Sequence, residues 1–343
     1  MRRAALLLAA IALALVAGST PAQAAPARGF AVPDGDYRLV FLIGSATRAA
    51  QTGIRVEARR TVLAPVETAP GQFVISTVTV NVRTPESMPD GQEGPGTPGL
   101  QVYPTGNAPA LDNVWIFPVR KVPHLFVISD STAADWLTGP KRGWAQEIPR
   151  YFRAGISVAN YADSGSSTVS WLADPTLFAT VEPLIHPGDE VLIQLAHNDK
   201  TTTEADYRAN LTTLVSGVRK HGGLPVLVTP PVRHLFDATG LITPTGRIVN
   251  NLGVDLPAVM RSLAGQSHTP LLDLTADSQR LMQTLGPDRS LALYVGTQAT
   301  PADATHFTEF GATVIAGLVA SELREARLPA EENLYPNPAP PVV

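Results

Sequence analysis

The sequence predicts an α/β fold, in which a parallel sheet is covered by helices on both faces and a smaller antiparallel β domain precedes it. Two observations predict this arrangement. Between residues 30 and 120 the chain is rich in valine, threonine and alternating patterns, without a long helical period. From His124 onward, apolar runs of strand length alternate with helical segments. Continuous apolar strands that alternate with helices are typical of parallel sheets buried on both faces.

Residues 1–24 predict a bacterial-type signal peptide. Arg2 and Arg3 precede a short apolar run at 4–17, and the Ala22-Gln23-Ala24 segment is typical of a cleavage site. A helix needs about 20 apolar residues to cross a bilayer, and this run is shorter. We therefore expect a secreted protein, without a membrane span, whose mature chain begins near Ala25. A membrane anchor or a buried helix is the alternative.

Composition excludes several kinds of protein. The 343 residues are 44% apolar, which is enough for a sizeable core. A net charge of −4 and the lack of a Lys/Arg-rich run predict no nucleic-acid partner. The chain has no cysteine, which excludes disulfides, thiol catalysis and cysteine-bound metals. No histidine pair has the H-x-x-x-H spacing of a metal site, so we expect no metal and no cofactor.

We interpret residues 25–120 as a β-sandwich-like domain. Its clearest strand is 73–82, which is dense in β-branched residues. The Gly/Pro-dense segment 89–99 predicts a long loop. The other predicted strands are 37–42, 54–58 and 113–119.

We interpret residues 121–328 as the catalytic domain, followed by a Pro-rich, extended or frayed tail at 329–343. The predicted strands are 125–128, 156–160, 191–195, 225–228 and 271–274. The predicted helices are 144–152, 205–221, 256–264, 278–285 and 310–326.

Polar residues follow successive strands of this domain. Ser131 comes after the first strand, Gly165 after the second and Asn198 after the third, while Asp303 and His306 precede the last helix. Sites in open parallel sheets form at the carboxyl ends of the strands, so we expect all five on one rim.

These residue types suit a serine hydrolase. His306 can take a proton from the Ser131 hydroxyl, and Asp303 can orient the imidazole. The Asn198 amide and the backbone N–H groups of Ser131 and Gly165 can donate to an oxyanion. Each motif alone also fits an ordinary turn or helix cap. Their order at successive strand exits is what favours an esterase.

Four segments resemble the blocks of the SGNH (GDSL-type) hydrolase superfamily: "SDST" at 129–132, "NYADSGSS" at 160–167, "AHND" at 196–199 and "DATH" at 303–306. The longer segments "RGWAQEIPRYF" and "DATHFTEFGA" are similar to its rhamnogalacturonan acetylesterase branch. The resemblance implies a flavodoxin-like three-layer α/β/α sandwich with a five-stranded parallel sheet. It also implies no metal and deacetylation of pectic sugars. It assigns Ser131, Asp303 and His306 as the catalytic triad and Ser131, Gly165 and Asn198 as the oxyanion hole.

The chain departs from the family pattern at four positions. The family usually has glycine where this chain has Ser129 and Ala196, glutamine at Lys200 and a basic residue at Ser166. These differences bear on the substrate more than on the chemistry.

Three residues are candidates for substrate binding. Trp136 or Trp171 could line a sugar groove, and Arg233 could grip the carboxylate of an acidic sugar. Core packing is the alternative for the tryptophans, and a surface ion pair is the alternative for Arg233. His197 is expected to pack beside the site.

The sequence therefore predicts a secreted serine esterase that removes O-acetyl groups from a polysaccharide. One alternative is a lipase, phospholipase or thioesterase on the same framework. Another is a non-catalytic carbohydrate-binding protein. A glycosidase or lyase would use paired carboxylates such as Asp163 and Asp199. The absence of a G-x-S-x-G motif argues against an ordinary α/β-hydrolase.

Overall fold

The structure is a computed structural model that describes residues 27–296 and 303–336. The predicted signal peptide and the end of the Pro-rich tail lie outside these ranges. The described part of the tail includes a short 3-10 helix, Pro329–Asn333. Among the helices of the described ranges, none has both the length and the apolar character needed to cross a bilayer.

Seven strands form two antiparallel sheets in the first third of the chain. One sheet has the order β1-β6-β3-β4 and the other the order β5-β2-β7. The strands are β1 (Arg28–Phe30), β2 (Gly35–Gly44), β3 (Ala50–Val56), β4 (Arg60–Thr68), β5 (Phe73–Val82), β6 (Leu100–Thr105) and β7 (Leu111–Val119).

The two antiparallel sheets share one apolar core. In β2 the alternate residues Leu39, Phe41 and Ile43 are fully buried. They pack with Ile54 of β3 and Leu100 of β6, which belong to the other sheet. The period-2 alternation of the sequence places these side chains on one face of the strand. The prediction of an antiparallel β unit is confirmed.

Five parallel strands follow. They are β8 (His124–Ser129), β9 (Ser157–Asn160), β10 (Glu190–Gln194), β11 (Leu224–Val228) and β12 (Leu271–Leu272). Their spatial order is β12-β11-β10-β8-β9, and every neighbouring pair is parallel. Numbered along the chain, this is the flavodoxin-like order 2-1-3-4-5. The predicted fold class is confirmed.

Helices cover both faces of the parallel sheet. Leu125 and Val127 of β8 pack against one helical layer, while Phe126 and Ile128 pack against the other. The first layer contains α1 (Trp144–Glu147), α6 (Leu274–Ser290) and α7 (Glu309–Glu325). The second contains α2 (Thr168–Ala173), α3 (Phe178–Val181), α4 (Glu204–Lys220) and α5 (Leu256–Ser267). The remaining 3-10 helices are Ile148–Tyr151, Glu182–Leu184 and Leu291–Leu293.

Several predicted elements have different bounds. The strand predicted at 271–274 ends at Leu272, because the Asp273 side chain accepts from the Ala276 N–H and caps α6. That helix then runs to Ser290 with a kink at Gly286, whose φ is 75°. Strands β1, β4 and β6 and the short helices α2 and α3 were not predicted from the sequence. Each is short or lacks a clear period.

Buried polar contacts join the antiparallel strands to the parallel sheet. The Arg83 guanidinium, which follows β5, donates to the Asn160 carbonyl and lies 3.4 Å from the Asp135 carboxylate. Arg60 of β4 lies 3.7 Å from the same carboxylate. These contacts join residues on either side of position 120. The division of the chain into two domains near that position therefore stays a prediction.

Candidate active site

A tight turn after β8 presents Ser131 at the carboxyl end of the sheet. The buried Asp130 carboxylate accepts from the Thr132 N–H at 2.9 Å and from its hydroxyl at 2.7 Å. The Asp130 carbonyl accepts from the N–H groups of Ala133 and Ala134. These bonds fix the backbone on either side of Ser131, so that the position of the hydroxyl depends on little more than its own rotamer.

The structure brings Ser131, His306 and Asp303 into one hydrogen-bonded chain. His306 Nε2 lies 2.9 Å from Ser131 Oγ. His306 Nδ1 lies 2.9 Å from each carboxylate oxygen of Asp303. A carboxylate can only accept, so Nδ1 carries the proton and Nε2 is free to accept the serine proton. This is the geometry of a nucleophile, a base and an orienting carboxylate.

The loop that carries Asp303 and His306 is held from several sides. Asp303 Oδ1 accepts from the His306 N–H at 3.0 Å. The Val295 N–H donates to the His306 carbonyl, and the His234 N–H donates to the Ala304 carbonyl. Thr308, rather than Asp303, caps helix α7, through a hydrogen bond from the Gly311 N–H. Asp303 is therefore not needed as a helix cap.

The surroundings shift the pKa values of both groups downward. Burial acts to raise the pKa of Asp303, yet the His306 backbone N–H and the His306 imidazole hold it below its usual value. Burial lowers the pKa of His306, and the Lys141 ammonium adds to this, while Asp303 opposes it. Lys141 Nζ lies 3.8 Å from Asp303 Oδ2. At neutral pH the imidazole is therefore largely neutral, which is the form that can act as a base.

Two of the three predicted oxyanion donors, Gly165 and Asn198, lie on connected loops. Gly165 has a φ of 86°, a conformation that glycine adopts readily, and open space surrounds the position of an added Cβ. Asn198 Nδ2 donates to the Ser166 carbonyl at 3.1 Å, which links the third-strand loop to the Gly165 loop. The Asn198 amide group has two N–H donors, and one of them makes this hydrogen bond. The other N–H is available to donate to a ligand.

The antiparallel unit holds the loop 136–141, which lies beside Ser131 and His306. Arg59, in the turn between β3 and β4, donates to the carbonyls of Trp136, Gly139 and Lys141 at 3.0 Å each. The Trp136 indole N–H donates to the Ser131 carbonyl at 3.1 Å. Sequence reasoning missed Arg59 and Lys141, since no local pattern marks a side chain whose partners lie far away in the sequence. Arg59 contacts carbonyls 77 to 82 residues further on, and Lys141 contacts Asp303.

The three candidate substrate residues have different environments. The rings of Trp136 and His306 are nearly perpendicular, with their centroids 5.7 Å apart, and Trp136 is largely buried. Trp171 is fully buried, and its indole N–H donates to the Ser129 carbonyl at 3.0 Å. The expectation that Trp171 lines a sugar groove is therefore wrong, because its ring presents no face to solvent.

Arg233 links two loops of the site. Its guanidinium donates to the Thr305 hydroxyl at 2.8 Å and to the His197 carbonyl at 2.9 Å. The surface ion pair considered as an alternative is not found within residues 27–296 and 303–336, where no carboxylate oxygen comes within 4.0 Å of this guanidinium. His197 is buried, with its Nδ1 3.2 Å from Asp130 Oδ2, as expected for a packing role.

Two further expectations concern neighbouring residues. Ser129 and Ala196 are buried, and neither is among the described residues with positive φ, so a Cβ fits the backbone at both places. Asp163 and Asp199 are also buried, and Asp199 accepts hydrogen bonds from Thr168. Asp163 likewise accepts from the Ser166 hydroxyl, so each carboxylate has a hydrogen-bond partner in its surroundings, and these contacts do not favour the paired-carboxylate alternative. Across the described part of the chain, no three His, Cys, Asp or Glu side chains group as metal ligands would.

Comparison with known proteins supports the resemblance. No protein-family model matches the chain. The rhamnogalacturonan acetylesterase RhgT of Bacillus subtilis (strain 168) is 34% identical over 230 residues, which cover 63% of this chain and 96% of that protein. The probable rhamnogalacturonan acetylesterase YesY of the same organism is 26% identical over 220 residues, covering 62% of this chain and 97% of that protein.

A solved structure agrees with the fold. The crystal structure of the YxiM protein from Bacillus subtilis superimposes with a TM-score of 0.56 and 21% identity. The match covers 89% of this chain and 81% of that chain. From the sequence relatives, this fold and the ordered motifs, we conclude that the chain belongs to the SGNH (GDSL-type) hydrolase superfamily, among the carbohydrate acetylesterases similar to rhamnogalacturonan acetylesterase.

Proposed function

We propose that the protein is a secreted serine esterase that removes O-acetyl groups from a polysaccharide of the rhamnogalacturonan or pectin type. The observation that carries this proposal is the hydrogen-bonded chain from Ser131 through His306 to Asp303 at the carboxyl edge of the sheet. The names of the two Bacillus subtilis relatives support the substrate class.

The first half-reaction acetylates the enzyme. His306 Nε2 takes the Ser131 proton as Oγ attacks the carbonyl carbon of the acetyl ester. The negative charge on the carbonyl oxygen is stabilised by the N–H groups of Ser131 and Gly165 and by the Asn198 amide. The imidazolium, held by Asp303, then donates its proton to the departing sugar oxygen. The products are a free sugar hydroxyl and acetyl-Ser131.

The second half-reaction restores the enzyme. His306 takes a proton from a water molecule, whose oxygen attacks the acetyl carbonyl of Ser131. The same donors stabilise the second tetrahedral intermediate. The imidazolium returns its proton to Ser131 Oγ, and acetate leaves.

Asn198→Ala is expected to lower kcat about 10²–10³-fold, because one preorganised oxyanion donor is lost. KM for an acetylated substrate should change far less than kcat. Steady-state hydrolysis of p-nitrophenyl acetate measures both. The matched control is Asn107→Ala, an exposed turn residue of the antiparallel unit, which should leave kcat unchanged. A loss below about threefold in Asn198→Ala would remove this residue from the oxyanion hole.

The acid limb of the pH profile is expected to have its midpoint below the ordinary histidine value of about 6.5. The neutral imidazole is the base, so kcat/KM rises as pH increases through the lowered pKa of His306. Lys141→Met removes a cation that disfavours the imidazolium, so the midpoint should move to higher pH.

Two variants serve as controls for the pH profile. Lys141→Arg keeps the charge and should keep the midpoint near its original place. Lys121→Met removes an exposed cation from the loop after β7 and should not move it. A midpoint that stays at the wild-type pH in Lys141→Met would show that this ammonium does not lower the pKa of His306.

Acetate release from acetylated pectin, xylan and peptidoglycan tests the proposed substrate class, with Ser131→Ala as the inactive control. We expect the highest rate on acetylated pectin. A preference for p-nitrophenyl octanoate over the acetate would favour a lipase or thioesterase instead. An absence of acetate release from every substrate would favour a carbohydrate-binding protein without turnover.

Secretion is tested by N-terminal sequencing of the protein from the culture medium of a bacterial host. We expect the mature chain to begin near Ala25. Retention of residues 1–24 on a membrane-associated protein would support the anchor alternative.

A further inference from the structure

A small polar pocket lies beside the proposed catalytic centre. Its volume is about 120 Å³, and it lies between the loop after β10 and the segment 245–251. Ala196 and His197, the two residues before Asn198, form part of its lining. Pockets that hold whole drug-sized ligands measure roughly 300–1,000 Å³, so this one suits a single chemical group rather than a sugar ring.

Two cations, Lys200 and Arg233, line this pocket. Within the ranges that the structure describes, neither forms an ion pair with a carboxylate within 4.0 Å, and Lys200 Nζ makes no hydrogen bond. Arg233 has five N–H donors and uses its guanidinium for two bonds, to Thr305 and His197. Donors therefore remain on both side chains for an anionic group.

The walls of the pocket are held in place before any ligand arrives. The Asn250 side-chain amide donates to the carbonyls of Asp199 and Thr202. The Asn251 N–H donates to the Lys200 carbonyl at 2.9 Å, and the Arg233 N–H donates to the Gly246 carbonyl at 2.8 Å. A preformed site loses less conformational entropy when a ligand binds.

The pocket is also tied to the catalytic groups. Arg233 contacts Thr305, which lies between Asp303 and His306 in the sequence, and it contacts His197, which precedes Asn198. A ligand group bound at Arg233 is therefore held close to both the base and a proposed oxyanion donor.

We propose that this pocket binds the carboxylate of a uronic acid residue in the acetylated polysaccharide and so positions the ester beside Ser131. The inference rests on the proposed function and deepens it, since it names the charged group that the site recognises. An arginine and a lysine facing one small polar cavity complement a carboxylate, and charge-assisted hydrogen bonds are the stronger kind. Lys200 then determines specificity, at a position where the family pattern has an uncharged glutamine.

The test compares two substrates that differ only in whether their carboxyl groups are free or methyl-esterified. One is an O-acetylated oligogalacturonide with free carboxylates, and the other is the same oligomer with the carboxylates methyl-esterified. The readout is the ratio of kcat/KM for the free acid to kcat/KM for the methyl ester. The wild-type enzyme is expected to prefer the free acid.

Lys200→Gln is expected to lower this ratio about threefold to tenfold, the range for a partly exposed charged contact. Lys200→Glu should lower it further, since it places like charges together. Lys121→Gln makes the same change in net charge at an exposed site and should keep the wild-type ratio. Adding salt to the wild-type enzyme should also reduce the ratio, because the screening length falls from about 30 Å at 0.01 M to about 3 Å at 1 M.

The ratio of the two kcat/KM values tests the carboxylate assignment. A wild-type preference for the methyl ester, or a ratio that Lys200→Gln and Lys200→Glu leave at the wild-type value, would overturn the carboxylate assignment while acetate release continues. Failure of the proposed function has a different signature, which is no acetate release by the wild-type enzyme from either oligomer, and it would overturn the assignment as well.

Discussion

Ser131→Ala is expected to lower kcat for acetyl ester hydrolysis by about 10⁴–10⁶-fold, because Ser131 is the proposed nucleophile and the members of such a triad act together. In the structure its hydroxyl lies 2.9 Å from His306 Nε2, which is within the usual range of a hydrogen bond. Alanine keeps the Cβ and removes only the hydroxyl. Acetate release under saturating substrate measures the loss.

The loss must be separated from unfolding. The turn around Ser131 is held by the Asp130 carboxylate and carbonyl, which do not involve the serine hydroxyl. We therefore expect Ser131→Ala to unfold at the same temperature as the wild-type protein. Ser45→Ala, at a half-buried position directly after β2 in the antiparallel unit, is the matched control and should keep full activity. A Ser131→Ala protein that retains more than about 1% of the wild-type kcat would refute the assignment of the nucleophile, since the expected loss is far larger.

Asp303→Asn is expected to lower kcat about 10³–10⁴-fold, because the residue sets the tautomer of His306. The Asp303 carboxylate accepts the proton on Nδ1, so Nε2 remains free to accept from Ser131. An asparagine amide in the same place can donate to Nδ1 and so move the proton to Nε2. The ring would then keep its position but lose its basic nitrogen toward Ser131.

Measurement of both kcat and KM across pH distinguishes this effect from a loss of substrate binding. We expect kcat to fall while KM changes little. The control is Asp277→Asn, which neutralises the half-buried partner of Arg280 in the first turn of helix α6 and should leave kcat unchanged. A decrease of less than about tenfold in Asp303→Asn would mean that another group orients the imidazole.

The sequence predicted the layers of the fold because burial leaves a strong periodic signal. Leu125, Val127, Phe126 and Ile128 form one continuous apolar run, and the structure shows why, since alternate residues enter different helical layers. The last strand was predicted too long because Leu274 is apolar like a strand residue. Only the structure shows that Asp273 caps helix α6, so that Leu274 is the first residue of the helix.

The proposed catalytic groups were also accessible to sequence reasoning, since topology alone places strand exits on one rim. Ser131, Asp303 and His306 needed no knowledge of side-chain packing. Trp171 did require such knowledge. Its position close after the segment 160–167 suggested a sugar groove, but only the structure shows that its indole is directed into the core. Arg59 and Lys141 depend on how the antiparallel unit packs against the Trp136 loop, which no local pattern records.

Labelling with a fluorophosphonate probe, followed by peptide mapping, is the most direct test of the proposed catalytic triad. We expect one phosphonylated residue, Ser131, with labelling lost in Ser131→Ala and strongly slowed in His306→Ala. A label on a different residue, or full hydrolysis of acetyl esters by a protein that never reacts with the probe, would contradict it.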